Sequence, residues 1–373
     1  MSQDTIAPLV SVIIPTFNRA QFLGRTLESA LAQTHSHLEV LVMDDGSADD
    51  TPNVVARYQE QDARIRYVRH PENLGLVRNW KAGIAAATGS FFCILGDDDS
   101  LEPTFVEELL APLQADPNLV LSFCDHWIMD HAGTRLLERS RENTSYWRRD
   151  QLRRGALTDF FRIALIDRAI FIGATLFRRD FVDPGFLEDE ASAFVDVWML
   201  YHCGQQGEGY YVPARLCTCR WQPGGVSRSW KWRMYGFPGE IHCYRHFLHD
   251  PALQKYADIF RVRLSHSLTT YGNTLLSLGH TQQARASLRE AIQLHALWRA
   301  RAGYALTHLG PVGTLASRWL RQVRRSLPTR SDVPNYPEKG VLDLSPSGKE
   351  QMNTRTVSSA APPVYSDPAI PVS

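Results

Sequence analysis

The sequence has no excess of charge of either sign, since 40 lysines and arginines balance 40 aspartates and glutamates. A chain without net charge has no overall field that attracts nucleic acid or an anionic membrane, so any such binding must be local. We therefore predict no nucleic-acid partner.

Long apolar runs and cysteines are also scarce. No segment approaches the ~20 uncharged apolar residues that a membrane-spanning helix requires, and residues 1–8 contain no apolar stretch that resembles a secretion signal. The six cysteines include no C-x-x-C pair, which argues against a disulfide framework and favours reduced thiols. These absences favour a cytoplasmic protein.

Short apolar runs alternate with helical patterns through the first third of the chain. The composition, 44% hydrophobic and 21% charged, is that of an ordinary globular protein. A strand–helix–strand–helix rhythm predicts an α/β fold with a mostly parallel sheet that helices cover on both faces. The runs that predict buried strands are 10–14, 38–43, 65–68, 91–95 and 120–123.

Polar residues follow three of these predicted strands, at 15–19, 44–47 and 96–99. Open sheets of this type bind ligands beyond the carboxyl ends of their strands. We therefore expect a ligand site where these three segments meet.

The segment Gly96-Asp97-Asp98-Asp99 carries the strongest chemical signal. Three adjacent carboxylates repel one another unless a cation neutralises them, and Mg²⁺ or Mn²⁺ prefers oxygen ligands together with phosphate oxygens. A metal–diphosphate site is one interpretation. A solvated acidic turn that caps the helix beginning near Glu102 is the other, and this segment alone does not separate them.

Four motifs in a fixed order along the chain favour the metal–diphosphate site over the acidic turn. They are residues 11–18 (SVIIPTFN), 44–47 (DDGS), 73–79 (NLGLVRN) and 95–99 (LGDDD). Together they closely resemble glycosyltransferase family 2, which comprises inverting enzymes with the GT-A fold that use nucleotide-activated sugars. The resemblance covers roughly residues 8 to 230.

The resemblance implies a donor site built from these motifs. Asp45 would contact the base, and Asp99 would be the direct ligand of Mg²⁺ or Mn²⁺. Many relatives read D-x-D-D at this strand end, whereas this chain has Gly96 at the first position. The other residues expected to bind the donor are Pro15, Thr16, Asn18, Arg78, Asn79, Asp97, Asp98 and Arg220.

The resemblance also implies a general base that deprotonates the acceptor hydroxyl. Asp196 fits best because it precedes an apolar helix, although Val195 stands where relatives carry glutamate. Asp189 is the second candidate. The alternative interpretation of Asp196 is a helix N-cap without a catalytic role. Arg220 would neutralise charge on the leaving diphosphate, and Gln222 replaces the histidine of the family's segment.

The remainder of the chain predicts a different organisation. We expect a GT-A-like domain over residues 1–235, an all-helical region over 236–327 with one tetratricopeptide-like helix pair, and a disordered tail over 328–373. Segment 312–327 is amphipathic. It either lies peripherally on the inner face of a membrane or docks its apolar side on the helical region.

The function that these features predict is transfer of a sugar from a nucleoside-diphosphate sugar to a hydroxyl of a saccharide or lipid-linked acceptor, in cell-surface polysaccharide or glycoconjugate synthesis. A sugar nucleotidyltransferase would carry a glycine-rich basic loop after the first strand, and a dinucleotide oxidoreductase a G-x-G-x-x-G; neither is present. A non-catalytic nucleotide-sugar-binding or scaffold protein stays open as the alternative.

Overall fold

The computed structural model describes residues 7–221 and 230–326. Within these residues, nine strands form one sheet in the order β3-β2-β1-β4-β8-β6-β9-β5, with β7 paired to β9. The strands are β1 (Val10–Thr16), β2 (Leu38–Asp44), β3 (Ile65–Arg69), β4 (Phe91–Ile94), β5 (Ser100–Leu101), β6 (Leu119–Met129), β7 (Gly155–Ala156), β8 (Thr175–Arg178) and β9 (Glu208–Arg220).

Helices cover both faces of this sheet and continue beyond it. They are α1 (Ala20–Leu31), α2 (Thr51–Gln59), α3 (Leu76–Ala86), α4 (Phe105–Ala115), α5 (Leu137–Tyr146), α6 (Val195–Gln206), α7 (Trp230–His249), α8 (Ala257–Leu278), α9 (Thr281–Leu294), α10 (Trp298–Leu306) and α11 (Gly310–Ser326). None of those within the described residues combines the length and the apolar character that crossing a bilayer requires.

The long strand pairings are parallel, as predicted. β1 runs parallel to both β2 and β4, β2 to β3, and β6 to β9, whereas the antiparallel pairings of β8, β5 and β7 are short. The fold is GT-A-like α/β, and the prediction of fold class is confirmed.

Alternating side chains of the central strands enter two separate cores. In β1, Val12 and Ile14 lie in one hydrophobic cluster and Ile13 in the other. Because successive side chains of a strand point to opposite faces, an uninterrupted apolar run is what a sheet covered on both faces needs. Gly83 lets α3 approach closely, since a Cβ there would lie 2.7 Å from the Ile13 side chain.

β6 is longer than the predicted strand at 120–123 because it continues through buried polar residues. The carboxylate of Asp125 accepts hydrogen bonds from Arg149 Nε (2.7 Å) and Arg215 Nε (3.0 Å). These arginines join the segment after α5, and β9, to the strand and compensate its buried charge. An ionic network of this kind leaves no apolar periodicity in the sequence. The predicted strand therefore ended before the observed one.

The predicted boundary at residue 235 falls inside α7. Ser192 Oγ, from the segment before α6, donates to the carbonyl oxygen of Tyr235 over 2.7 Å, and Gly239 packs directly on the Ala191 carbonyl. The three-part division of the chain stays a prediction. The predicted disordered tail, 328–373, lies outside the described residues.

Candidate donor-binding site

The predicted donor residues lie where β1 and β4 end side by side. Strand order reverses at this point, since β2 and β3 follow β1 on one side and β4 lies on its other side. Thr16 Oγ1, at the end of β1, donates to Asp97 Oδ2 over 2.8 Å. A topological switch point in an open sheet leaves a crevice for a ligand, and the aspartates are located there.

The loop that carries the aspartates is held by α1. Thr26 Oγ1 is 2.9 Å from the carbonyl oxygen of Asp97 and 2.8 Å from that of Asp99. Glycine at position 96 avoids a steric clash, because a Cβ there would lie 2.9 Å from Asp99 Oδ2. The departure from the relatives' first aspartate therefore leaves room for the Asp99 carboxylate.

Arg19 is the cation that faces this acidic cluster. Its Nε is 3.0 Å from Asp97 Oδ1, and its Nη2 forms an ion pair with Asp98. Burial nevertheless raises the pKa of Asp97 to about 7, against the opposing effect of Arg19. Burial and then the neighbouring Asp98 raise the pKa of Asp99 as well. Arg19, with Arg220 acting on Asp98, does not offset the buried carboxylates of Asp97 and Asp99.

These residues fit a hard divalent cation that arrives with a diphosphate. Within the described residues, no three His, Cys, Asp or Glu side chains form a complete metal site. Mg²⁺, however, is commonly held by one or two carboxylates together with substrate phosphates, so a pair of aspartates suffices on the protein side. Asp98 and Asp99 are the residues that would hold it.

Arg220 closes the site from β9. Its backbone N–H donates to Asp99 Oδ1 over 2.9 Å, which fixes that carboxylate. Its guanidinium donates to the carbonyl oxygens of Asp98 (3.1 Å), Asp130 (3.0 Å) and His131 (2.8 Å). Arg220 thus lies at the predicted site, with its guanidinium occupied by loop carbonyls. Gln222, which replaces the histidine of the family's segment, lies outside the described residues.

Asp45 lies at the end of β2 with both carboxylate oxygens occupied. Oδ1 accepts from the backbone N–H of Leu74 (2.7 Å) and Oδ2 from that of Gly75 (3.0 Å). Gly75, with φ +85°, adopts the left-handed region that favours glycine just before α3. Asp45 therefore holds the 73–75 loop, and contact with a base through the same carboxylate stays a prediction.

Asn18 and Asn79 order the backbone around the crevice. Asn18 Oδ1 accepts from the backbone N–H of Ala48 over 2.7 Å, which ties the β1 loop to the β2 loop. Asn79 is buried in α3, and its Nδ2 donates to the carbonyl oxygen of Met43 over 3.0 Å. Pro15 continues β1 opposite Met43. These contacts shape the loops, and donor contact by these residues stays a prediction.

Arg78 and Asp189, predicted for different roles, form an ion pair with each other. Arg78 Nε and Nη2 lie 2.8 and 2.5 Å from Asp189 Oδ2, and both side chains are exposed. The arginine lowers the pKa of Asp189. A carboxylate held in its ionised form by an arginine is a weaker proton acceptor, so this contact disfavours Asp189 as the base.

Asp196 lies in the first turn of α6, where Oδ1 accepts from the backbone N–H of Val197 over 2.8 Å. Burial raises its pKa, and the nearby Arg168 acts in the opposite direction. Arg168 has φ +53° and its guanidinium lies 4.6 Å from the Phe194 ring centre. A partly buried carboxylate with a raised pKa is closer to what a general base requires.

Comparison with known proteins gives a match in the N-terminal part of the chain. Residues 11–181 match the model of glycosyl transferase family 2. The match covers a little under half of the chain, and this segment is similar to that family. The matched segment contains every predicted donor residue except Arg220, and ends before both candidate bases.

Relatives match this family 2 segment rather than the whole chain. The uncharacterized glycosyltransferase RP339 of Rickettsia prowazekii is 34% identical over 131 residues, 35% of this chain and 40% of that protein. Chondroitin synthase of Escherichia coli is 31% identical over 156 residues, 42% of this chain and 22% of that protein. The chain thus spans well under half the length of these relatives.

The crystal structure of Staphylococcus aureus TarS, residues 1–349, in complex with UDP-GlcNAc shares the fold. Its TM-score is 0.57 at 16% identity, and the match covers 87% of this chain and 94% of that one. At this identity the likeness shows the fold alone.

Arg19 and Arg168 are the residues that sequence reasoning missed. Arg19 directly follows the first motif, residues 11–18, so its position next to Asn18 was a usable signal, but its partners are 78 and 79 residues away. Arg168 belongs to no motif, and only the fold places it beside Asp196.

Proposed function

We propose that this protein is an inverting glycosyltransferase that moves a sugar, of hexosyl type, from a nucleoside-diphosphate sugar to an acceptor hydroxyl. The observation that carries the proposal is the cluster of buried Asp97 and Asp99 with half-buried Asp98 at the β1–β4 switch point, faced by Arg19. Such a site is short of positive charge and fits a metal-bound diphosphate.

The reaction is a single displacement. Asp196 accepts the proton of the acceptor hydroxyl as its oxygen attacks the anomeric carbon, and the bond to the nucleoside diphosphate breaks on the opposite face. Asp98 and Asp99 would hold Mg²⁺ or Mn²⁺, which would supply Lewis-acid stabilisation of the leaving diphosphate. Arg19 positions Asp97 and Asp98, and the Arg220 N–H positions Asp99.

The acceptor in this proposal is a saccharide or a lipid-linked carrier, in cell-surface polysaccharide or glycoconjugate synthesis. A relative named chondroitin synthase and a structural neighbour solved with UDP-GlcNAc support a saccharide product and a nucleotide-sugar donor. The proposed location is the cytoplasm, with peripheral contact at the inner face of the membrane through 312–327.

Nucleotide-dependent thermal stability tests this proposal. UDP, GDP and dTDP are each added to the purified full chain with Mn²⁺, with Mg²⁺ or with EDTA. A ligand at 100 times its Kd stabilises the folded state by about 2.7 kcal/mol. We therefore expect one nucleotide to raise the melting temperature by roughly 5 °C in the presence of metal, and much less in EDTA.

The matched control for Asp99→Asn, the variant at the proposed metal ligand, is Asp258→Asn at an exposed aspartate of α8. Its nucleotide-dependent thermal shift should equal that of wild type. If no nucleotide shifts the melting temperature with either metal, the proposed donor site is wrong and the non-catalytic scaffold alternative gains support.

A further inference from the structure

The last two helices and the turn between them expose several large apolar side chains. Of the ten that the described residues expose, six belong to α10, α11 and the three residues between them. Val312, Leu315 and Trp319 are 66%, 61% and 63% exposed. Their i, i+3, i+7 spacing places them on one side of α11. The other three are Trp298, Leu309 and Leu320.

α11 docks on the protein through its small residues instead. Gly313 and Ser317 are buried, and a Cβ on Gly313 would lie 1.9 Å from the carbonyl oxygen of Leu306 in α10. Arg318 Nε donates to the carbonyl oxygen of Ser277 in α8 over 2.8 Å. The interpretation in which this helix docks its apolar side on the helical region is therefore wrong for the described part of α11.

The same segment is strongly basic. From Trp298 to Ser326 the chain contains six arginines and neither aspartate nor glutamate, although the whole protein has no net charge. The arginines are Arg299, Arg301, Arg318, Arg321, Arg324 and Arg325. This local excess makes an electrostatic partner of negative charge favourable.

We propose that the exposed face of α11, with α10 beside it, binds the surface of a bilayer that contains anionic lipids. Tryptophan and leucine side chains enter the interface between headgroups and acyl chains, while the arginines pair with lipid phosphates. This inference deepens the membrane contact of the proposed function by naming the surface and the lipid charge.

The charges argue against two other occupants. A second copy of this segment would bring together two stretches that each carry basic and no acidic side chains, which is repulsive. Residues 327–373 carry five acidic and four basic side chains, so they offer almost no charge excess to match it. An anionic bilayer alone supplies both an apolar layer and negative charge.

Vesicle flotation tests this with the full chain. Wild type should float with vesicles of phosphatidylcholine mixed with phosphatidylglycerol, bind pure phosphatidylcholine much less, and lose binding as salt rises. The double variant Leu315→Ser/Trp319→Ser should bind the anionic vesicles at least about tenfold more weakly, since two large apolar side chains no longer leave water.

The control is Leu137→Ser, which removes an equally exposed leucine from α5 and should leave vesicle binding unchanged. Both variants should keep the nucleotide-dependent thermal shift, so failure of lipid binding and failure of the donor site are distinguishable. Equal binding to neutral vesicles would overturn the proposal. So would a dimer that Leu315→Ser/Trp319→Ser dissociates, or vesicle binding seen only after deletion of 328–373.

Discussion

Asp196→Asn is expected to reduce sugar transfer by about 10²–10⁴-fold while leaving the nucleotide-dependent thermal shift at the wild-type value. Asparagine keeps the side-chain oxygen that accepts from the Val197 N–H, so the first turn of α6 is preserved. It cannot accept the proton of the acceptor hydroxyl. The rate is measured as release of nucleoside diphosphate from the sugar nucleotide with a saccharide acceptor.

The pH dependence of the transfer rate is a second test of Asp196 as the general base. A base must be ionised to act, so the rate should rise as the pH increases through the pKa of Asp196, which burial raises above its ordinary range. In Asp196→Asn this acidic limb should disappear together with most of the rate.

Asp189→Asn is the comparison that decides between the two candidate bases. Its carboxylate is exposed and paired with Arg78, so we expect only a few-fold change in rate. If Asp189→Asn loses the activity and Asp196→Asn retains it, the roles assigned to these residues are reversed.

Asp99→Asn is expected to remove the metal-dependent part of nucleotide binding. Its carboxylate is buried beside Asp98 and is held by the Arg220 N–H, so asparagine retains that hydrogen bond and loses the charge that a cation requires. Transfer should fall by at least about 10²-fold, since charge stabilisation of the leaving group is among the largest catalytic effects. The thermal shift with nucleotide and Mn²⁺ should fall to the value measured in EDTA.

The same variant should be no less stable than wild type in EDTA without nucleotide. Removing one of three adjacent carboxylates, two of them buried, reduces their mutual repulsion, so the unliganded melting temperature should stay the same or rise. A lower unliganded melting temperature would mean that Asp99 is structural. A full thermal shift with metal in Asp99→Asn would mean that another residue holds the cation.

Local patterns were sufficient for the central strands and for the position of the aspartates. Each of the first four predicted strands overlaps an observed one, because these runs are mainly apolar, as in residues 12–14 and 40–43, and both faces of the sheet are covered. The aspartates follow β4 directly in sequence, so placing the strand also placed them at the edge where ligands bind. The first turn of α6 likewise contains Asp196, as predicted.

Local patterns failed where the partner is distant in sequence. The end of β6 was missed because Asp125 is stabilised by Arg149 and Arg215, which lie 24 and 90 residues further along. The pairing of Arg78 with Asp189 spans 111 residues, and no spacing rule connects them.

The sequence by itself determined the type of fold, the resemblance to a family and the strand ends at which the proposed donor site lies, since these follow from short-range periodicity and from motifs of adjacent residues. Only the tertiary structure decided which charges compensate each other and which side of α11 faces solvent. Both depend on contacts between segments far apart in the chain. These are the contacts of Arg19 with Asp97 and Asp98, and the hydrogen bond from Arg318 in α11 to the Ser277 carbonyl oxygen in α8.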